Sequence, residues 1–132
     1  MGVTEANLKS ALVSLLRKEL PGYVTFRHED RHLFGVPDFS VTGNRIVSWW
    51  EAKHANPSFV SQGIQELTML RLANQSHARY IIWDENGGAK RTLIVHPKEM
   101  NEWQSAKELV TGFNHKWLVE QIRKVHNDNL RP

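Results

Sequence analysis

Two neighbouring stretches decide the fold: GVPDFSV at residues 35–41 and RIVSWWEAK at residues 45–53. Both are rich in β-branched and aromatic residues, the composition of half-buried strands. Between them, Thr42-Gly43-Asn44-Arg45 carries the residues of a tight turn, so the two stretches read as one hairpin. A two-residue turn at Gly43-Asn44 pairs Thr42 with Arg45 and sets Asp38 opposite Trp49. Glu51 is then the diagonal neighbour of Asp38, with Cα atoms ~7–8 Å apart. Side chains 49, 51 and 53 share the face of Asp38, and a turn one residue longer would reverse that parity.

Upstream, Thr4 to Leu20 carries Leu8, Leu12, Leu15, Leu16 and Leu20 at helical spacing. Thr4 suits an N-cap, and Pro21-Gly22 stops the helix. Tyr23 to Arg27 alternates like a strand, and the charged stretch from His28 to His32 reads as a loop. Downstream, Ala55-Asn56-Pro57-Ser58 breaks the chain before a helix over 58–74. Its apolar set is Phe59, Val60, Ile64, Leu67, Leu70 and Leu72, broader than one stripe. ARYIIW at 78–83 reads as a buried strand, residues 84–88 as a turn, and Arg91 to Val95 as a returning strand ended by His96-Pro97. The remainder predicts two helices, 98–110 and 114–125, split by Thr111-Gly112. The order of helix, three strands, helix, two strands and helices is a mixed α/β pattern around one sheet.

Composition narrows the function classes. The 132 residues suit one domain, and 40% hydrophobic content suits one core. No apolar run approaches the ~20 residues of a membrane span. The first residues lack a basic segment ahead of their apolar ones, so they do not read as a secretory signal. With no Cys, disulfide scaffolds, Cys-ligated zinc, iron–sulfur clusters and thiol chemistry are out, and a reducing cytoplasm fits. A formal charge of +3 permits a nucleic-acid partner without requiring one. No phosphate-cradling glycine loop predicts a nucleotide cofactor, and neither HExxH nor GxSxG occurs.

The chemistry sits in the hairpin. Asp38 and Glu51 can converge on one divalent ion, and an all-oxygen set suits Mg²⁺ or Mn²⁺ better than zinc. Such an ion polarises a phosphoryl oxygen and acidifies its water, while Lys53 can orient that water or neutralise developing charge. Singly, these residues have plainer uses: Asp38 as a turn cap, Glu51 and Lys53 as a solvated pair. Against that, Glu51 follows an apolar run, Ile46 to Trp50, where a bare charge is costly. Arg27, His28, Arg31 and His54 flank these strands and suit phosphate contacts. Trp49 and Trp50 point to opposite faces, with at least one in the core.

GVPDFSV followed by WWEAK, with a Glu-bearing helix before and a Gln-bearing helix after, resembles the PD-(D/E)xK nuclease superfamily. Its small VRR-NUC-type and Holliday-junction-resolvase-like members are the nearest match, over about residues 4–95. The resemblance implies a restriction-endonuclease-like α/β core: α-β-β-β-α-β, a mixed central sheet flanked by helices, here with extra C-terminal helices over 97–132. It also implies Mg²⁺-dependent endonucleolytic cleavage of DNA, with Mn²⁺ able to substitute, structure-selective on branched or junction DNA and leaving a 5′-phosphate. Asp38, Glu51 and Lys53 match the motif, and the Ala52 carbonyl would be a further metal ligand. The first-helix Glu would be Glu5, with Glu19 its competitor. The second-helix Gln would be Gln65, with Gln62 as alternative and otherwise a phosphate contact. Junction-cleaving relatives imply a homodimer, and repair, recombination and phage DNA processing are all open as contexts. The expected setting is the cytoplasm, or the nucleus in a eukaryote. The competing readings are a nucleic-acid-binding module that retains the fold without catalysis, and a structural protein with a coincidental motif.

Overall fold

The β-branched and aromatic stretches all enter one sheet in the computed structural model, which describes residues 4–28, 35–59 and 63–128. The elements run α1 (Glu5–Glu19), β1 (Val24–Arg27), β2 (Phe39–Gly43), β3 (Ile46–Ala55), α2 (Gly63–Gln75), β4 (His77–Asp84) and β5 (Arg91–Val95). A 3₁₀ segment (Pro97–Ser105), β6 (Glu108–Thr111) and α3 (His115–Asp128) follow. Among the described residues the sheet order is β1-β2-β3-β4-β5-β6. Only β3 and β4 pair in parallel, because α2 carries the chain from one to the next.

Helices cover both faces. Leu8, Leu12 and Leu16 of α1 and Leu118 and Ile122 of α3 pack on Phe39, Val41, Trp50 and Ala52 of one face. Met69 of α2 and Trp103 of the 3₁₀ segment pack on Ala55, Tyr80, Ile82 and Leu93 of the other. Alternation along β3 therefore sends Trp50 towards α1, and Glu51 and Lys53 towards α2. The edge strand β1 leaves Val24 and Phe26 exposed. Among the described residues no helix is long and apolar enough to cross a membrane.

Three expectations need correction. The hairpin turn is Asn44-Arg45, both at positive φ (53° and 64°), and Gly43 pairs with Ile46 inside the ladder. Gly43 is needed for another reason: an added Cβ would sit 2.5 Å from the ring of Tyr23. The glycine marks a ring lying against a strand rather than the turn. The register moves by two residues, so Phe39 faces Trp50 and Asp38 stands level with Glu51. An even shift preserves the face, so the acidic residues still meet.

The helix expected over 98–110 ends early. The chain kinks at Glu102, Ala106 is extended (φ −58°, ψ 140°), and Glu108–Thr111 pairs with β5 as an edge strand. The C-terminal extension is therefore not wholly helical. Trp103 and Ala106 are buried and set that exit, whereas Leu109 is exposed. In α2 the fully buried apolar side chain is Met69, while Ile64 (61%) and Leu67 (50%) are exposed.

One histidine belongs to the core. His126 lies on the buried stripe of α3, four residues after Ile122. Its Nδ1–H donates to the Gly43 carbonyl (2.9 Å), so Nε2 accepts from Ser48 Oγ (2.9 Å). Trp50 Nε1 donates to the same Ser48 oxygen at 2.7 Å. Burial lowers the pKa of His126, keeping it neutral, so this chain ties α3 to the β2–β3 hairpin.

The exposed Arg45 pays for a left-handed backbone, a conformation costing a non-glycine residue ~1 kcal/mol or more. Arg45→Gly creates the Asn-Gly pair favoured in such turns. It should raise the melting temperature by about 2–5 °C, read by thermal unfolding.

Candidate active site

β3 outruns its antiparallel partner. Its ladder with β2 ends at the Phe39–Trp50 pair, yet β3 continues to Ala55 beside β4. The N–H groups of Ala52 and His54 thus need acceptors other than β2, since buried backbone donors are rarely left bare. Carboxylates supply them. Asp38 Oδ2 accepts from Ala52 N at 2.8 Å, and Glu5 Oε1 accepts from His54 N at 3.3 Å. In return Asp38 N donates to Glu51 Oε1 at 3.2 Å. The structure therefore brings Glu5, Asp38 and Glu51 together around one strand end.

Helix ends complete the arrangement. Glu5 opens α1, whose N-cap Thr4 accepts from Asn7 N at 3.1 Å. Gln65 lies in the first turn of α2 and accepts from Lys53 Nζ at 3.2 Å. Lys53 Nζ also stands 3.6 Å from Glu51 Oε2. Glu51 and Lys53 are only 3% and 5% exposed, so this is a buried ion pair. Glu19, by contrast, lies at the far end of α1, lining a cleft of about 330 Å³ with His115 and Arg123.

Burial is the largest cause that pushes the Glu51 carboxyl up to about 8, and the neighbouring Asp38 charge adds to it. Lys53 and the Asp38 N–H pull it down but do not offset those effects. Burial likewise raises the Tyr80 phenol on β4, aided by its cross-strand partner Glu51 on β3.

The phosphate-contact candidates fare differently. Nε2 of His28 pairs with Ser40 Oγ at 2.9 Å, and its ring stacks on Trp49 with centroids 5.4 Å apart. Its backbone N–H donates to the Asp38 carbonyl at 2.8 Å, so it borders the acidic cluster. His54 is engaged by Glu85, which also accepts from Trp83 Nε1. Arg27 donates to Ser10 Oγ on α1 at 3.0 Å. Arg31 and Gln62 lie outside the described residues. Sequence reasoning missed Lys9, whose Nζ is 3.5 Å from Asp38 Oδ1. The signal was its place four residues after Glu5, on the same helix face.

Among the described residues no group of three His, Asp or Glu side chains is placed to hold a metal ion. The donor chemistry still suits a hard cation. Mg²⁺ takes one or two carboxylates and keeps waters or substrate phosphates for its remaining positions. Two carboxylates at one strand end, Asp38 and the buried Glu51, fit that demand.

No family model matches the chain. No curated protein matches it. A solved structure is similar: that of Hjc, a Holliday junction resolvase from the archaeal hyperthermophile Archaeoglobus fulgidus. The TM-score is 0.53 at 14% identity, over 89% of this chain and 98% of that one. At that identity the likeness is one of fold. The chain has a restriction-endonuclease-like fold: among the described residues, a mixed six-stranded sheet flanked by helices.

Proposed function

We propose that the protein is a metal-dependent endodeoxyribonuclease that hydrolyses phosphodiester bonds, selective for branched or junction DNA. One observation carries the reading: a buried lysine held between a carboxylate and a glutamine, beside a second carboxylate fixed to the same strand. The similar solved protein is described as a Holliday junction resolvase, which supports branched DNA as the substrate class.

Asp38 and Glu51, with the Ala52 carbonyl, would hold Mg²⁺ or Mn²⁺, and Glu5 would assist directly or through water. When bound, the cation polarises the scissile phosphate and lowers the pKa of its water. Gln65 fixes the Lys53 ammonium, which costs rotamer freedom that would otherwise be lost during reaction. Lys53 orients the attacking water and offsets the negative charge that develops on the phosphate. His28 and His54 border the strand end and would serve as phosphate contacts through their imidazole nitrogens.

A homodimer would place two such sites on two strands under twofold symmetry. Val24 and Phe26 on the sheet, with Ile64 and Leu67 on α2, supply exposed apolar surface for it.

The direct test compares wild type, Asp38→Asn and Lys53→Met on four-way junction, nicked and linear DNA, with Mg²⁺ and with EDTA. Wild type should cut the junction, and each variant should lose at least about 100-fold in rate. Salt-sensitive binding without Mg²⁺-dependent cutting would identify a non-catalytic module, and no DNA affinity at low salt would reject both.

Glu51 adds a pH signature. Its pKa is raised on folding, so between 4.5 and about 8 the native state holds a proton that the unfolded chain has released. Its stabilising contribution is complete below the lower value and is lost as pH rises through the higher one. Without metal, Glu51→Gln should melt close to wild type near pH 5 and clearly above it near pH 9. Added Mn²⁺ should raise the wild-type melting temperature at the higher pH and leave Glu51→Gln unmoved, read by calorimetric unfolding.

A further inference from the structure

The motif accounts for one lysine, but two stand against the acidic residues. Lys9 sits one turn after Glu5 on α1, and its side chain is only 17% exposed. Its Nζ lies 3.5 Å from Asp38 Oδ1 and 3.5 Å from the His28 carbonyl. The other Asp38 oxygen, Oδ2, is already taken by the Ala52 N–H at 2.8 Å. Oδ1 is therefore the Asp38 oxygen better placed to bind a cation, and an ammonium from α1 stands beside it. Lys53 is engaged separately by Glu51 and Gln65, so the two lysines serve different carboxylates.

We propose that Lys9 is a positioning residue that competes with the divalent cation for Asp38 and passes to a DNA phosphate when DNA binds. This rests on the metal-dependent reading of the site. A dication and an ammonium on one carboxylate oxygen repel, so Lys9 weakens cation binding in the DNA-free protein. The lysine stem is flexible and its ammonium is a point charge, suited to exchanging one oxyanion for another. A phosphodiester near Asp38 offers that exchange. Cation and DNA then strengthen each other's binding, and linkage makes the effect reciprocal. Such a protein leaves its metal site weak until substrate arrives.

Calorimetric titration of Mn²⁺ into the full chain without DNA tests this. Lys9→Met and Lys9→Gln should each bind Mn²⁺ about fivefold tighter than wild type, the scale of a part-exposed ion pair. Ca²⁺ titrations with and without a junction DNA should show tighter Ca²⁺ binding to wild type with DNA, and a smaller gain for both variants. Unchanged or weaker Mn²⁺ binding by both variants overturns the proposal. So does wild-type Ca²⁺ affinity that ignores DNA, a measurement independent of how any variant folds. If Asp38→Asn abolishes Mn²⁺ binding while the Lys9 variants match wild type, this inference fails and the metal reading stands. If Mn²⁺ binding is absent or indifferent to Asp38, both fall.

Discussion

A strand longer than its partner sets the terms for the rest of the molecule. β3 must reach Ala55 to pair with β4 and bury Ala52 and Ala55, but β2 ends opposite Trp50. Beyond that point the backbone donors of Ala52 and His54 are met by Asp38 and Glu5. The same carboxylates that look chemical are therefore also structural, closing a sheet edge that would otherwise carry unpaired N–H groups. Removing one costs a charge-assisted hydrogen bond as well as the proposed cation ligand. This is why activity in an Asp38 variant must be read beside its folding.

The buried Glu51–Lys53 pair shows the same double use. Desolvating two charges is expensive, and an apolar pair of equal volume would often be at least as stable. Its retention at 3% and 5% exposure, inside a strand whose neighbours are Trp50, Ala52 and Ala55, is poorly explained by stability alone. Gln65 adds a third polar group at the mouth of α2 whose bond holds the ammonium in place. A preorganised ammonium is useful where charge develops during a reaction, and the raised Glu51 pKa marks the cost borne at rest.

Much of this was legible in the chain because it rests on period and parity. α1 followed its leucine spacing, and β1, β3, β4 and β5 followed their β-branched runs. The register was misread because Gly43 was taken for a turn glycine, when it is required by the ring of Tyr23. The error was even, so the face of Asp38 survived it. β6 was hidden because Met100, Trp103 and Val110 mimic helical spacing across a kink at Glu102. Lys9 was overlooked because its one local sign, a place one turn after Glu5, does not name the loop carboxylate it meets, and His126 because a histidine gives no sign by itself of being in a core.

Charge counting links the strand end to a phosphate ligand. Glu5, Asp38 and Glu51 face Lys9 and Lys53, so the cluster is neutral while Glu51 holds a proton and carries one negative charge once it is lost. The raised Glu51 pKa is the resting protein's way of staying near neutrality in a poorly solvated spot. A dication replacing that proton turns the cluster net positive by one, the charge that a phosphodiester neutralises. Each partner therefore removes the electrostatic penalty left by the other. On the proposed reading Lys9 is the adjustable charge, whereas Glu5, Asp38 and Glu51 each accept a backbone N–H and Lys53 is held by Gln65.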